Sequence, residues 1–245
     1  MFTPPISFRR RMDSPRAAFT LIELLTVIAI VGILAAIIIP TVGRVRSAAR
    51  DAVGLSHLRQ IGLAASLYAD ENRGRFPYSY KANEYDFSSV LAAYIGAAGT
   101  ETYGNNKATS DIFRDPSATI PLGDLHYTAH PVLMPHFANG PQFNRARLRR
   151  PSETVLVADG TQPLSGNTHV SFWATDGSGA WTPFAGNASD DAPIAPGPDI
   201  DNDSSGGHLR FRAAGGTACK VVFADGHTRI LRKEAFLRRY IRLEP

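Results

Sequence analysis

One uninterrupted apolar segment limits what this chain can fold into more than any other feature. It runs from Phe19 to Ile39 as FTLIELLTVIAIVGILAAIII, and Glu23 is its only charged residue. A helix rises about 1.5 Å per residue, so this segment is just long enough to cross a hydrocarbon core of roughly 30 Å. The arginines before it should keep the N-terminus in the cytoplasm. The segment predicts a single-pass membrane helix, with the rest of the chain outside the cytoplasm.

The position of Glu23 helps to distinguish between three possible interpretations of this apolar N-terminal segment. A secretory signal peptide is cut after its apolar block, which is usually shorter. A plain membrane anchor has no reason to hold a carboxylate near its cytoplasmic end, where an unpartnered charge costs about 2.5–3.5 kcal/mol or more. A cut between Ala18 and Phe19 would create a terminal amine that can pair with this carboxylate. The residues therefore favour N-terminal processing before the apolar block.

The N-terminal residues resemble those of the type IV prepilin family. The matching features are the basic leader, the run Phe19-Thr20-Leu21-Ile22-Glu23-Leu24-Leu25, the long apolar segment and Pro40. The resemblance implies that a prepilin peptidase cuts between Ala18 and Phe19 and methylates Phe19. It also implies that Glu23 aids assembly by neutralising the amine of a neighbouring subunit. Ala18 stands where the family usually has glycine, and it is small enough for the cut.

Apolar residues continue at helical spacing beyond the membrane segment. They recur every three or four residues at Val42, Val45, Ala49, Ala52, Leu55, Leu58, Ile61, Ala65 and Tyr68, while Arg44, Arg46, Arg50, Asp51 and Gln60 fall largely on other faces. Pro40 should kink the helix because it removes a backbone donor. Gly32, Gly43 and Gly54 either weaken the helix or permit close packing. One helix over residues 19–71 is predicted, with a membrane half at 19–40 and an amphipathic half at 41–72.

Residues 73–245 are expected to form an extracytoplasmic domain after a basic leader at 1–18. Short helices are predicted at Phe87–Ile95 and Lys233–Leu243, and strands at Thr154–Ala158, Cys219–Ala224 and His227–Leu231. Asp225-Gly226 between the last two strands is a strong hairpin signal. Residues 99–110 and 161–207 are rich in loop formers, with at most short strands such as 168–174. The predicted class is α+β: a long hydrophobic helix packed on a small antiparallel sheet with extended loops.

The charge and the cysteine content limit the functions and the covalent cross-links that this chain can have. The net charge is +4, but most of the excess lies in the leader, so the basic balance does not indicate nucleic-acid binding. Cys219 is the single cysteine, which excludes an intramolecular disulfide, and its apolar neighbours predict a buried, inert thiol.

Three further stretches sharpen the family resemblance. HLRQIGLAASLYADENRGRFP, RRPSETVLVADG and VVFADGHTRIL are similar to pieces of a large prepilin subfamily, in the same order. That subfamily typically has a histidine, then nine residues, then an Asp-Gly pair; at the histidine position this chain has Gly215, and His208 lies further upstream. It often has a cysteine before proline, where this chain has Asp115.

The sequence contains no motif of an enzyme: no GxSxG, P-loop, HExxH or CxxC is present. His126, His130 and His136 are spaced loosely, as a possible metal cluster or as scattered loop histidines. His227 is expected to be a hairpin residue rather than a catalyst. We therefore expect no enzymatic activity.

An acidic loop near the C-terminus is a second candidate metal site. Alternating carboxylates at Asp199, Asp201 and Asp203 can converge on Ca²⁺ in a flexible loop. However, the loop lacks the glycine of an EF-hand turn, and Arg210 stands where the bidentate glutamate would be. Major pseudopilins, which this chain resembles, use Ca²⁺ in a C-terminal loop. A Ca²⁺ site and a solvated acidic loop both remain open, and no other cofactor is expected.

The resemblance implies a structural role. The first hypothesis is a pseudopilin, a subunit of a type II secretion pseudopilus that assembles through its N-terminal helix. The alternative is a major or minor subunit of a type IV pilus for adhesion, motility or DNA uptake. The implied partners are other pilin-like subunits, the prepilin peptidase and an inner-membrane assembly platform.

Overall fold

The computed structural model describes residues 20–81, 84–96, 110–118, 125–161, 191–194, 199 and 209–243. The chain divides into two compact units, Met1–Arg44 and Val45–Pro245. The predicted division of the chain at residues 18, 40 and 72 stays a prediction.

A single long helix, α1, spans Leu21–Glu71 and confirms the predicted element. Pro40 lies inside α1 without ending it, and the predicted kink stays a prediction. At the C-terminal end, the Gly74 N–H donates to the Ala69 carbonyl at 2.7 Å. Arg73 and Gly74 both have positive φ, at 58° and 79°, a backbone conformation that is common where a helix ends.

Within the described part of the second unit, four strands form an antiparallel sheet. Its strands are β3 (Tyr127–Ala129), β4 (Val155–Asp159), β5 (Ala218–Phe223) and β6 (Thr228–Arg232), in that spatial order. A small hairpin pairs β1 (Tyr80–Lys81) with β2 (Tyr85–Asp86), and α2 (Phe87–Ala92) follows it with Asp86 as its N-cap. The expected α+β arrangement, a long N-terminal helix with a small antiparallel sheet, is confirmed.

The two faces of the sheet carry two hydrophobic cores. On one face, Leu58 and Ile61 of α1 share a core with Leu156, Val157 and Val222. The other face is covered by the C-terminal part of the chain. This second core contains Val155, Ala158, Ile194, Leu209, Phe211, Cys219, Val221, Phe223, Leu231, Phe236 and Ile241. Strand β5 is buried along its whole length, so its alternate side chains enter opposite cores.

The hairpin prediction is confirmed with a longer connection than expected. Asp225-Gly226 forms the turn, but the connection spans residues 224–227, because β5 ends one residue earlier and β6 begins one residue later than predicted. Gly226 has φ +90°, which favours glycine at this position. The short helix predicted at Phe87–Ile95 is also confirmed, as α2 followed by a 3₁₀ turn at Ala93–Ile95.

The prediction of a short helix over Lys233–Leu243 is wrong. The segment forms two 3₁₀ turns, Lys233–Ala235 and Arg238–Tyr240, with extended residues between them. The cause is backbone pairing with a distant segment: Ile194 N–H donates to the Phe236 carbonyl at 3.0 Å, and Arg238 N–H donates to the Ala192 carbonyl at 2.9 Å. A helix would have withdrawn these groups from that pairing.

The amphipathic face of α1 is only partly as predicted. Leu58, Ile61 and Ala65 are buried as expected, whereas Val42 and Val45 are exposed. Asp51, which had been placed on another face, is only 7% exposed. Its carboxylate accepts hydrogen bonds from the Ser117 hydroxyl at 3.3 Å and the Ala214 N–H at 3.1 Å, so burial is compensated by two donors.

Candidate functional site

The first half of α1 presents an apolar surface with almost no cover. The large apolar side chains from Leu21 to Ile39 are all more than half exposed, and Leu21 reaches 81%. In the part of the chain that the structure describes, α1 is the one helix long and apolar enough to cross a membrane. A surface of this kind is stable in lipid or against other apolar helices and unfavourable in water.

Glu23 and Thr20 together cap the N-terminus of α1. The Glu23 carboxylate accepts hydrogen bonds from the Thr20 backbone N–H at 2.9 Å and the Thr20 hydroxyl at 2.8 Å. The Thr20 hydroxyl oxygen in turn accepts from the Glu23 N–H at 3.2 Å. This is the reciprocal arrangement of a capping box, which satisfies donors that a helix N-terminus leaves open.

The capping box gives the Glu23 carboxylate hydrogen-bond donors within its own chain. It leaves the negative charge itself uncompensated, because both donors are neutral. A positive group that approached this helix end would therefore find an oriented carboxylate. The predicted cleavage residues Ala18 and Phe19 lie outside the described residues, so their geometry relative to Glu23 stays a prediction.

A second cluster of charged groups lies in the interior of the second unit. The Lys220 ammonium is 2.9 Å from Asp115 Oδ2 and 3.0 Å from Asp159 Oδ2, and all three side chains are fully buried. The Arg212 guanidinium lies 3.9 Å from Asp115 Oδ2 and is almost as deeply buried. Buried charges are rare unless paired, and here two carboxylates surround one ammonium.

Local structure fixes each member of this buried cluster. Asp159 ends β4 beside β5, and its Oδ2 also accepts from the Lys220 backbone N–H at 2.9 Å. Asp115 follows a 3₁₀ turn at Asp111–Phe113. Its N–H donates to His126 Nδ1 at 2.9 Å, and its Oδ1 accepts from the Ser117 N–H at 2.9 Å. These bonds hold the Asp115 carboxylate towards Lys220.

Gly54 of α1 makes room for the Lys220 side chain. A Cβ built on Gly54 would come within 2.6 Å of Lys220 Cε and 3.3 Å of Asp115 Oδ1. Any larger residue would therefore displace the buried cluster. Gly54 was predicted either to weaken the helix or to permit close packing, and the structure supports close packing. At Gly32 and Gly43, by contrast, no atom lies within 4 Å of a built Cβ.

The pKa values of Asp159 and Lys220 in the buried cluster are both raised, but for different reasons. Burial raises the pKa of Asp159 to about 7, although the neighbouring Lys220 charge opposes the shift. For Lys220, burial acts to lower the pKa, but the charges of Asp159 and Asp115 outweigh it and the pKa is raised. Asp159 Oδ1 is buried and has no hydrogen-bond partner in the part of the chain that is described. Asp159 can therefore take up or release a proton near neutral pH.

The three candidate metal histidines each have a separate structural role. His126 accepts from the Asp115 N–H. The fully buried His130 donates from Nε2 to the Ile241 carbonyl at 2.7 Å, and its Nδ1 accepts from the N–H groups of Val132 and Leu133. His136 accepts from the Ala138 N–H at 3.1 Å. Among the described residues, no three metal-binding side chains come together.

The remaining predicted positions are only partly described. Asp201 and Asp203 lie outside the described residues, so the Ca²⁺ hypothesis stays a prediction. Asp199 accepts from the Arg210 guanidinium at 2.6 Å and from the Phe211 N–H at 3.0 Å. His227 is a hairpin residue as expected: its ring stacks on Phe223 and its Nδ1 lies 2.6 Å from Asp225 Oδ1.

Cys219 is buried as predicted, and burial raises the pKa of its thiol well above the usual range. The buried ionic cluster, in contrast, was missed. One signal was available in the sequence, because a lysine at position 220 interrupts an otherwise apolar strand. Its partners could not be found in this way, because Asp159 and Asp115 lie 61 and 105 residues away along the chain.

Comparison with known families identifies the N-terminal segment. Residues 13–39 match the family model of the prokaryotic N-terminal methylation motif. The match covers the end of the basic leader and the apolar half of α1, which includes Glu23. No curated protein and no solved structure matches the chain.

Proposed function

We propose that this chain, a type IV pilin-like protein by its N-terminal methylation motif, is a subunit of a type II secretion pseudopilus. A prepilin peptidase would cut before Phe19 and methylate it, and the processed chain would assemble through α1. Pilin-like proteins are structural subunits, and we assign no enzymatic turnover to this one.

The observation that carries the proposal is the combination of this motif with the exposed apolar half of α1. Fully burying one large apolar side chain is worth about 1.5–3 kcal/mol relative to water, so the segment from Leu21 to Ile39 must be covered at every stage. Lipid covers it before assembly. Once the subunit leaves the bilayer, equivalent helices of neighbouring subunits are the apolar surface that can replace lipid.

Apolar burial alone does not order such helices, because lipid tails and leucine side chains are equally apolar. A specific contact is needed to set the axial position of one subunit against the next. The Glu23 carboxylate, oriented by Thr20, supplies one half of that contact. The methylated amine of Phe19 on a neighbouring subunit would supply the other half and relieve both charges.

The choice of a pseudopilus rests on resemblance rather than on the geometry of α1. The stretches HLRQIGLAASLYADENRGRFP, RRPSETVLVADG and VVFADGHTRIL resemble a prepilin subfamily. The chain also resembles major pseudopilins, which use Ca²⁺ in a C-terminal loop. A type IV pilus subunit would share the same α1, so the two roles differ in the machinery that accepts the chain.

The test is to express the full chain with a prepilin peptidase and either a type II secretion platform or a type IV pilus platform. We expect the mature chain to start at N-methylated Phe19 by intact mass, and to appear in sheared filaments with the secretion platform. A chain that keeps Met1, or that is cut beyond Ile39, overturns the pilin-like role. Filaments formed with the pilus platform alone overturn the pseudopilus assignment.

A further inference from the structure

The buried cluster around Lys220 has the components of a condensation reaction. One amine lies within hydrogen-bond distance of two carboxyl groups: Lys220 Nζ is 2.9 Å from Asp115 Oδ2 and 3.0 Å from Asp159 Oδ2. All three side chains are sealed from solvent. The assembly function described above makes no use of them.

We propose that Lys220 and Asp115 form an intramolecular amide bond after folding, with Asp159 as the proton relay. The bond would join Lys220 Nζ to Asp115 Cγ and release one molecule of water. It would link β5 covalently to the segment that follows the 3₁₀ turn at Asp111–Phe113, across 105 residues of sequence.

The reaction balances without an oxidant or a co-reactant. The Lys220 ammonium gives one proton to Asp159, which passes it to Asp115 Oδ2. The neutral amine attacks Asp115 Cγ, and its second proton travels through Asp159 to the same oxygen. The Cγ–Oδ2 bond then breaks and water leaves. The ammonium ends as an amide N–H, and Asp159 returns to its starting state.

Asp159 is suited to the relay by its position and its environment. Its Oδ2 is anchored by the Lys220 backbone N–H, and its Oδ1 has no hydrogen-bond partner among the described residues. Burial raises the pKa of Asp159 to about 7, so both of its protonation states are accessible near neutral pH. Asp115, in contrast, already uses Oδ1 to accept from Ser117.

Proximity and desolvation favour the amide over the ion pair. Holding an amine and a carboxyl in contact gives effective concentrations of about 10⁵ M or more when they are well oriented. A buried ion pair carries a large desolvation cost, and an amide replaces both charges with neutral groups. The raised pKa of Lys220 keeps the ammonium as the resting form, so we expect bond formation to follow folding slowly.

The decisive measurement is the intact mass of the full chain, purified in detergent and aged at neutral pH. We expect a mass lower than that of the uncrosslinked chain by one water. Trypsin should fail to cut after Lys220, and tandem mass spectrometry of the digest should show residues 213–229 joined to the peptide that begins at Asp115. An unchanged mass in the folded native chain overturns the proposal, and so does a link to Asp159.

Three variants separate the roles of the residues. D115N should form the same amide with loss of ammonia, so its aged mass should equal that of the aged native chain. K220R and D159N should each keep the full mass of the uncrosslinked variant. D159N that still loses water overturns the relay, and K220R that loses water overturns the assignment of the amine. A cooperative melt of each variant, followed by circular dichroism, establishes that the chain is folded.

Discussion

Gly54 and Lys220 pack so closely that the helix has no space for a Cβ at this position. A Cβ on Gly54 would lie 2.6 Å from Lys220 Cε, a distance that real structures essentially never show. This contact fixes how α1 sits over the sheet within the second unit. It also makes a glycine in a helix, normally a weak point, a requirement of the fold.

The first prediction concerns that contact. Gly54→Ala should destabilise the folded chain by about 1–3 kcal/mol, because the added methyl group must displace a buried side chain. Gly43→Ala is the matched control, since no atom lies within 4 Å of its built Cβ, and it should be neutral or slightly stabilising. Denaturant unfolding of the full chain in detergent measures both. Equal stability of the two variants would contradict the close packing.

The second prediction concerns His130 and pH. Burial lowers the pKa of His130 to about 4 from 6.5, so the unfolded chain binds a proton in this range that the folded chain excludes. The contribution of the neutral His130 to the free energy of unfolding is fully present above pH 6.5. It falls by about 3 kcal/mol as the pH falls towards 4. His130→Gln should lower stability at neutral pH but flatten its decline on acidification. The free energy of unfolding at pH 7 and at pH 4.5, for both chains, measures the difference. An identical decline in both chains would show that other groups cause it.

The third prediction concerns the boundary between the two units. Deleting residues 1–45 should give a soluble, folded domain, because the apolar surface of the membrane segment is removed. The α1 residues that enter the core, from Leu58 to Ala69, are retained. Thermal unfolding followed by circular dichroism should show one cooperative transition. Aggregation without such a transition would mean that the first half of α1 is needed for the fold.

The fourth prediction separates the charge of Glu23 from its capping role. Glu23→Ala should insert in the membrane as well as the native chain or better, because a costly charge is removed. It should still be processed, but it should not enter filaments. Glu23→Gln keeps an acceptor for the Thr20 hydrogen bonds and lacks the charge, so it should also fail to enter. Sheared filaments separated from membranes provide the measurement. Glutamine variants in filaments would show that the cap, not the charge, matters.

The fifth prediction concerns the acidic loop. If Asp199, Asp201 and Asp203 bind Ca²⁺, millimolar Ca²⁺ should raise the melting temperature relative to chelator. Ca²⁺ at a hundredfold excess over its dissociation constant would raise the free energy of unfolding by about 2.7 kcal/mol. Asp201→Asn should reduce the shift, and Mg²⁺ should not reproduce it. Because Asp199 already pairs with Arg210, the metal would have to displace or share that contact. A melting temperature unaffected by Ca²⁺ would remove the hypothesis.

The sequence predicted the elements that depend on local patterns. Helical spacing placed α1 from residue 19 to 71 against the observed Leu21–Glu71, and Asp225-Gly226 placed the hairpin of β5 and β6. Asp51 shows where such reasoning fails. Periodicity assigns a charged residue to a solvent face, but Ser117 and Ala214 supply donors that only the folded chain brings close.

The candidate sites divide in the same way. The N-terminal candidate site could be proposed from the sequence because its residues are neighbours, and the methylation motif covers them. The roles of these residues stay predictions. The buried cluster could not be proposed from the sequence, because β4, β5 and the segment at Asp115 meet only through strand pairing and loop closure. For the same reason, the extended backbone at Phe236 was mistaken for a helix, since its partner Ile194 lies far away along the chain.

Strand β6 has a consequence for a chain that is meant to polymerise. Among the residues that the structure describes it is the last strand of the sheet, so one row of its backbone groups faces no further strand of this described sheet. Its exposed residues include Arg229 and Arg232, and charged side chains on an outer strand repel an approaching second sheet. In the proposed assembly, this repulsion would disfavour strand pairing between neighbouring domains, so the contact between subunits would be left to α1.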